Sequence, residues 1–557
     1  MSRFTFLLTT MFLLGASLSG NAQMHDPKAL DADPTTATSP IAPRLTGLGH
    51  HSMPITTDKA DSQYFFDQGL RLTYGFNHSE ALRAFKEAVR LDPNNAMAYW
   101  GWALVLGPNI NLPMQAEVEK RAYEAAQTAF KLRHQVSEKE RILIETLALR
   151  YTNESKQERA SLDQVYADAM ARVYARYPDD VDIATLYASA LMNLSPWNYW
   201  DGDGRPYDRT RRVMDILEPA MLASPGHTGS RHYYIHIVEK ERPELGERAA
   251  DELALLAPGA GHLVHMPSHI YMRIGRYADS YRANALASQA DEGYIAQCRA
   301  QGIYPLGYYP HNVHFLVWSA MYQGRSADAM KAARKVHASI PAAITGDGLR
   351  SFEQFLSQPI VALVRFGKWQ DVLAESKPPE SSKYWTGIWH YARGLAFNNM
   401  GKRSMAQKEL GILRKLAAEE GMDSYVTFAS DARSLLNIAS AILAGDIASR
   451  RGRHDEAVAS LSRAVRLQGA LTYSEPPEWY FPSRHYLGAV LLEAKRPAEA
   501  EVVYWEDLRE HPENAYSLLG LAQALQQLGR DEQASDIMSR FKQAWGEADV
   551  QLGSSRF

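Results

Sequence analysis

Small residues twelve positions apart recur along this chain, and they dictate helices laid in antiparallel pairs. In FFDQGLRLTYGFNHSEALRAFKEAVRLDPNN, Gly69 and Ala81 hold that spacing, and Phe85, Ala88 and Pro93 follow. Numbered as a 34-residue unit these are positions 8, 20, 24, 27 and 32, and the next unit opens with Tyr99, Trp102 and Ala103 at positions 4, 7 and 8. Gly and Ala let two helix backbones approach, and Pro93 ends the second helix. Gly394 with Ala406, Gly445 with Ala457, Gly488 with Ala500 and Ala522 with Ala534 repeat the spacing, and Pro512 again takes position 32. Such pairs bury their apolar faces only against neighbours, so the predicted fold is all-α, a right-handed helical-repeat solenoid with a concave groove.

The repeat divides the chain into N-terminal units over 62–130, an irregular helical-repeat region over 131–256, a central histidine-rich unit over 257–345 and C-terminal units over 346–557. Residues 1–22 read as a signal peptide, with Arg3 as the positive start, an apolar run over 4–18 and small residues Gly20 and Ala22 for cleavage. This predicts a periplasmic or secreted protein. Residues 23–61, rich in Pro, Thr, Ala and Asp near their start, read as a poorly ordered leader. Cys298 is the only cysteine, so folding depends on the core and not on an intramolecular disulfide. The formal net charge of -4, without any Lys/Arg block, argues against nucleic acid as a partner. No later stretch is long and apolar enough for a membrane span.

Histidine is distributed unevenly. Eight of the 18 lie between residues 227 and 314, where an even spread would place roughly 3. In RHYYIHIVEKE, His232 and His236 stand one helical turn apart, with Glu239 a further turn along the same face; an i, i+4 pair of this kind can chelate one ion. In PGAGHLVHMPSHIYMRIGRY, His262, His265 and His269 fall at intervals of three and four. A continuous helix would place all three on one face, whereas a helix opened by Pro267 would leave His262 and His265 on the entering loop. His311 and His314 follow Pro310 in YYPHNVHFLVW. In repeat register His262, His265 and His269 occupy inward-packed positions, where an unpaired imidazole would cost about 1–3 kcal/mol. Ligation to a metal would remove that cost.

The predicted metal ligands are therefore His232, His236, His262, His265, His269, His311 and His314, with Glu239 and Tyr309 as candidate acid/base groups. An imidazole-rich set without thiolates suits a transition metal ion such as Zn, Cu or Fe. Seven ligands exceed one tetrahedral shell, so either two ions bind or some histidines orient the others and move protons. Zinc would favour hydrolysis by an activated water, and copper or iron would favour oxygen chemistry. A hydrogen-bonded or substrate-binding histidine cluster is the alternative. His50, His51 and His78 read as local caps or, if the solenoid curls, as neighbours of the centre, Asp201-Gly-Asp203-Gly as a turn, and the aromatic segment 473–484 as groove lining or as core. No Gly-rich phosphate loop, G-x-S-x-G elbow or Cys–His nucleophile is present.

The repeats resemble the tetratricopeptide (TPR) superfamily. Seven segments together resemble a family of exported bacterial TPR proteins: YGFNHSEA, YWGWALVLGPNIN, HYYIH, GHLVHMPSH, YYPHNVHF, EPPEWYFPSR and VVYWEDLREHPEN. The resemblance implies a TPR solenoid and a groove that holds a peptide or protein partner. Two functions are expected from the whole reading. One is an exported binding protein whose metal centre binds or transforms a small molecule or peptide; the other is a non-catalytic scaffold for protein–protein interaction in the cell envelope.

Overall fold

The computed structural model describes residues 33–153, 158–298, 304–344 and 346–557. The predicted signal peptide lies outside them. Among the described residues the fold is all-α, and the few β-bridges, such as Trp200 with Pro206, are isolated. No helix among them is long and apolar enough to cross a membrane. The chain forms two compact units, one from 33–270 with 286–309 and the other from 271–285 with 310–557.

The first unit opens with helices Ala60–Tyr74, His78–Leu91 and Ala96–Leu106. Asn77 and Asn95 cap the second and third by accepting from the backbone N–H groups of Glu80 and Ala98 at 3.4 and 3.0 Å, which satisfies donors that a helix start leaves open. Phe85 wedges between Gly69 and Gly101: a Cβ on either would lie 2.8 or 2.3 Å from its ring. That contact is the physical reason for glycine at these repeat positions. The irregular region continues as helices, among them Glu138–Ala148, Val181–Asn193, Thr228–Val238 and Pro243–Leu256. Its interruption is a turn in which Asp201 Oδ1 accepts from the backbone N–H groups of Asp203 and Arg205 at 2.9 and 2.8 Å.

The leader departs from expectation. From residue 33 it is laid along the helices, with Ile41, Leu48 and Met53 buried. Side chains on the helices supply its hydrogen bonds: Glu87 accepts from Ile41 N at 2.7 Å, Gln68 from Leu45 N at 2.8 Å and Asp67 from Met53 N at 3.1 Å. Composition concealed this order because the acceptors lie elsewhere in the sequence.

The second unit carries the regular repeats, with first helices Gln358–Arg365, Lys383–Asn399, Ala432–Ser449, Arg484–Glu493 and Ala515–Gln527. These are buried on nearly all sides. Their partners, such as His454–Gly469 with Ala457, Leu461 and Ala464, bury one stripe. Tyr504 repeats the part of Phe85, seated between Gly488 and Gly520. Trp479, Tyr480 and Phe481 are core residues, the first two packed on Tyr391 and Phe481 on both of them. Gly275, at φ 84°, turns the chain where a Cβ would meet the Pro512 carbonyl at 2.5 Å; the left-handed backbone and the close approach both require glycine.

A Cβ at residue 520 would lie 2.1 Å from the Tyr504 ring. Gly520→Ala is expected to cost about 1–3 kcal/mol by overpacking. Gly411 meets nothing within 4 Å on an exposed helix face, and Gly411→Ala should instead stabilise by up to about 1 kcal/mol. Urea denaturation of the two variants checks the opposite signs.

Candidate metal centre

Helix Thr228–Val238 is seated under the turn at residues 74–77. Its cap is His227, whose Nδ1 accepts from Ser230 N at 3.0 Å. Gly229 admits the Tyr74 ring, which would lie 2.6 Å from a Cβ there. This placement sets two imidazoles. His232 Nδ1 lies 2.5 Å from the Tyr74 carbonyl oxygen, and His236 Nδ1 lies 3.2 Å from Glu239 Oε1. A carbonyl and a carboxylate can only accept, so each Nδ1 carries the proton and each Nε2 keeps its lone pair. Both Nε2 atoms are buried and, among the described residues, make no hydrogen bond. His262, on the short helix Gly261–His265, brings a third ring 5.0 Å from His232. One ligand nitrogen from each of the three lies within 4.8 Å of the others.

Burial lowers the pKa of His232 and His236, and the neighbouring His236 adds to the effect at His232. Both are thus held neutral, the form that ligates metals. Burial pushes the Glu239 carboxyl up, but His269 and His236 beside it bring it down to about 2, so it stays ionised. Glu239 Oε2 lies 2.6 Å from His269 Nδ1, and His269 Nε2 lies 2.9 Å from His265 Nε2. One buried carboxylate therefore joins the ring His236 to the pair His269–His265. Such a partner fixes the tautomer of a ligating imidazole and raises its basicity.

Aromatic rings close the centre. Phe76 lies 4.4 Å from His232 and 5.8 Å from both His236 and His262, Trp197 lies 5.3 Å from His236, and Tyr308 lies 4.7 Å from His262. Phe76 and Trp197 have φ of 55° and 63°. Strained backbone for bulky residues concentrates at sites where the surrounding structure over-determines it, and here both rings press on His236. A cleft of about 190 Å³, lined in part by Arg71, Asn77, Gln289, Tyr294 and Tyr304, reaches His262. The donor set, its tautomers and the compensating Glu239 fit one transition-metal ion.

A second cluster resembles a ligand set without behaving as one. Asp182 Oδ1 lies 2.8 Å from His51 Nε2, 2.7 Å from the Tyr74 hydroxyl and 3.4 Å from His227 Nε2. Because His227 Nδ1 accepts from Ser230, its Nε2 carries the proton and points a donor at the carboxylate. The network anchors Tyr74, whose carbonyl orients His232. Sequence reasoning took His51 for a local cap and missed Asp182, Tyr74, Phe76 and Trp197; none follows from spacing.

His311 and His314 belong to the second unit, where His311 packs on Phe315 at 5.1 Å and the buried His314 on Phe355 at 5.5 Å. Burial lowers the His314 pKa to about 3. Tyr309 donates its hydroxyl to Glu292 Oε1 at 2.8 Å, and Tyr308 is the ring against His262.

These features define an all-α helical-repeat protein with a buried histidine centre. No protein-family profile matches the chain, and no curated protein is similar enough to match. Among solved structures, the human IFIT1 dimer with m7Gppp-AAAA aligns over 88% of this chain and 91% of its own at 12% identity and a TM-score of 0.30. The APC/C hetero-tetramer Cut9-Hcn1 aligns over 87% and 96% at 13% identity and a TM-score of 0.26.

Proposed function

We propose that this is an exported helical-repeat protein that holds one transition-metal ion on His232, His236 and His262 and presents it to a small molecule or peptide in the adjoining cleft. The reading rests on one observation: two neighbouring imidazoles have Nδ1 committed to an acceptor and Nε2 buried with no hydrogen bond among the described residues, close to a third imidazole. His262 borders both the ring cluster and the cleft. An imidazole-bound zinc ion supplies an activated water for hydrolysis. The residues around it orient the rings, exclude solvent through Phe76 and Trp197, and hold a proton along Glu239, His269 and His265. Export rests on residues 1–22 and on the resemblance to exported bacterial TPR proteins. A non-catalytic scaffold is the alternative, favoured by the inner helices of the second unit.

The test is metal analysis by mass spectrometry of untagged mature protein purified without chelator. Near-stoichiometric zinc, copper or iron is expected, falling below about a tenth in His262→Ala with the circular dichroism unchanged. Protein that carries no metal and takes up none of the three ions overturns the proposal.

A further inference from the structure

Residues 549–557 have no regular secondary structure, yet they are tied down along the second unit. Asp549 accepts from the backbone N–H groups of Ser326 and Ala327 at 2.7 and 2.8 Å, and Trp545 Nε1 donates to the Val550 carbonyl at 2.9 Å. The segment then crosses the first helices of successive repeats. Gln523 donates to the Gly553 carbonyl at 2.9 Å, and Ser555 donates to the His485 carbonyl at 2.7 Å. Arg556 pairs with Asp446 and lies 2.7 Å from Glu493 Oε1. Phe557 reaches the Phe366 ring at 6.4 Å, beside Gly367, where a Cβ would meet it at 2.9 Å.

The contacts are those of a bound ligand more than of a chain end covering a core. Gln523 reads its backbone at Gly553, Ser555 is seated against the His485 carbonyl, and its one cation enters a charged recess. Ser555 is fully buried and Arg556 is 9% exposed. Without Arg556, Asp446 and Glu493 would face each other across Ser449 with Arg450 as the nearby cation, 3.7 Å from Asp446. Asp446 is fully buried and Glu493 stands at the exposed rim above it, and a buried carboxylate with a second one at its rim favours a cationic occupant.

We infer that the inner helices of the 310–557 unit form a binding site for an extended peptide carrying small residues followed by arginine and an aromatic residue, and that residues 549–557 fill it in cis. A partner polypeptide with that sequence pattern must displace the segment. Apparent affinity then falls by the fraction of molecules whose site is open.

Fluorescence anisotropy with a labelled peptide of sequence DVQLGSSRF tests this on the full chain. Arg556→Glu should free the segment, seen as lost hydrogen-exchange protection over 549–557, and bind the peptide at least about tenfold more tightly than the wild type. Changing the peptide's arginine to alanine, or adding Asp446→Asn and Glu493→Gln to the protein, should remove that binding. A folded Arg556→Glu protein with an exposed segment and no peptide binding overturns the inference. Should Arg556→Glu not fold, a protease site inserted between Gly546 and Glu547 allows cleavage of the native protein. Exchange of the cut segment for labelled peptide supports the inference, and failure to exchange overturns it.

Discussion

Glu239→Ala is expected to weaken metal binding by about 10- to 100-fold and to destabilise the metal-free protein by about 3–5 kcal/mol. The two effects share one cause. Glu239 is fully buried, with Oε1 on His236 Nδ1 at 3.2 Å and Oε2 on His269 Nδ1 at 2.6 Å. Removing it leaves two interior imidazole N–H groups without an acceptor, a desolvation cost that falls on the apo protein. It also frees the His236 ring to turn and to change tautomer, which moves the proton onto the nitrogen facing His232 and His262. Glu239→Gln separates the effects, because its amide oxygen serves one ring while its NH2 group opposes the other. Stability should then be partly restored while metal affinity stays low. Urea denaturation in chelator, and competition for zinc against a chromophoric chelator, measure the two quantities independently. Wild-type affinity in Glu239→Ala would show that the carboxylate does not support the centre.

How much of this could be read beforehand depended on sequence distance. The helix pairs were legible because Gly69 with Phe85, and Gly488 with Tyr504, lie within one repeat, where spacing reports packing. His232, His236 and Glu239 were legible for the same reason, being turns of one helix. The convergence of His262 on that helix could only be suspected, because Pro267 interrupts the segment; the structure resolves it as helix Gly261–His265 followed by Pro267–Arg273. Tyr74, Phe76, Asp182 and Trp197 were illegible. Their roles depend on a left-handed backbone at Phe76 and Trp197 and on contacts more than a hundred residues apart, such as Tyr74 with Asp182. The segment 549–557 carries no period, and only the positions of Asp446, His485, Glu493 and Gln523 on neighbouring helices reveal its place.

The second unit is expected to lose stability steeply in acid through a site with no part in metal binding. Asp507 is fully buried and its Oδ2 accepts from Ser517 at 2.6 Å, Asn514 at 2.9 Å and His485 Nε2 at 3.3 Å, while Oδ1 lies 3.2 Å from His511 Nδ1. Burial pushes this carboxyl up, but His485 and His511 hold it well below the ordinary range. His485 is lowered to about 4, chiefly by burial. Its Nδ1 accepts from the Arg365 guanidinium at 3.3 Å, so the ring has no room for a second proton. The unfolded His485 therefore takes up a proton that the folded one refuses between pH 6.5 and about 4. Stability falls with acid by about 1.4 kcal/mol per pH unit in that window. The contribution of Asp507 has the opposite charge but the same direction: it is present above the unfolded carboxyl value of about 3.9 and lost as pH falls towards the lower folded value. His485→Gln, which cannot titrate, should flatten the slope between pH 6.5 and 4 while leaving the loss below pH 4. Asp507→Ala should cost about 3–5 kcal/mol at pH 7, since it strands three buried donors and the half-buried His511 at once. Urea midpoints of the three proteins at pH 7, 5.5 and 4 decide the matter, and parallel curves for wild type and His485→Gln would show that this histidine does not set the acid limit.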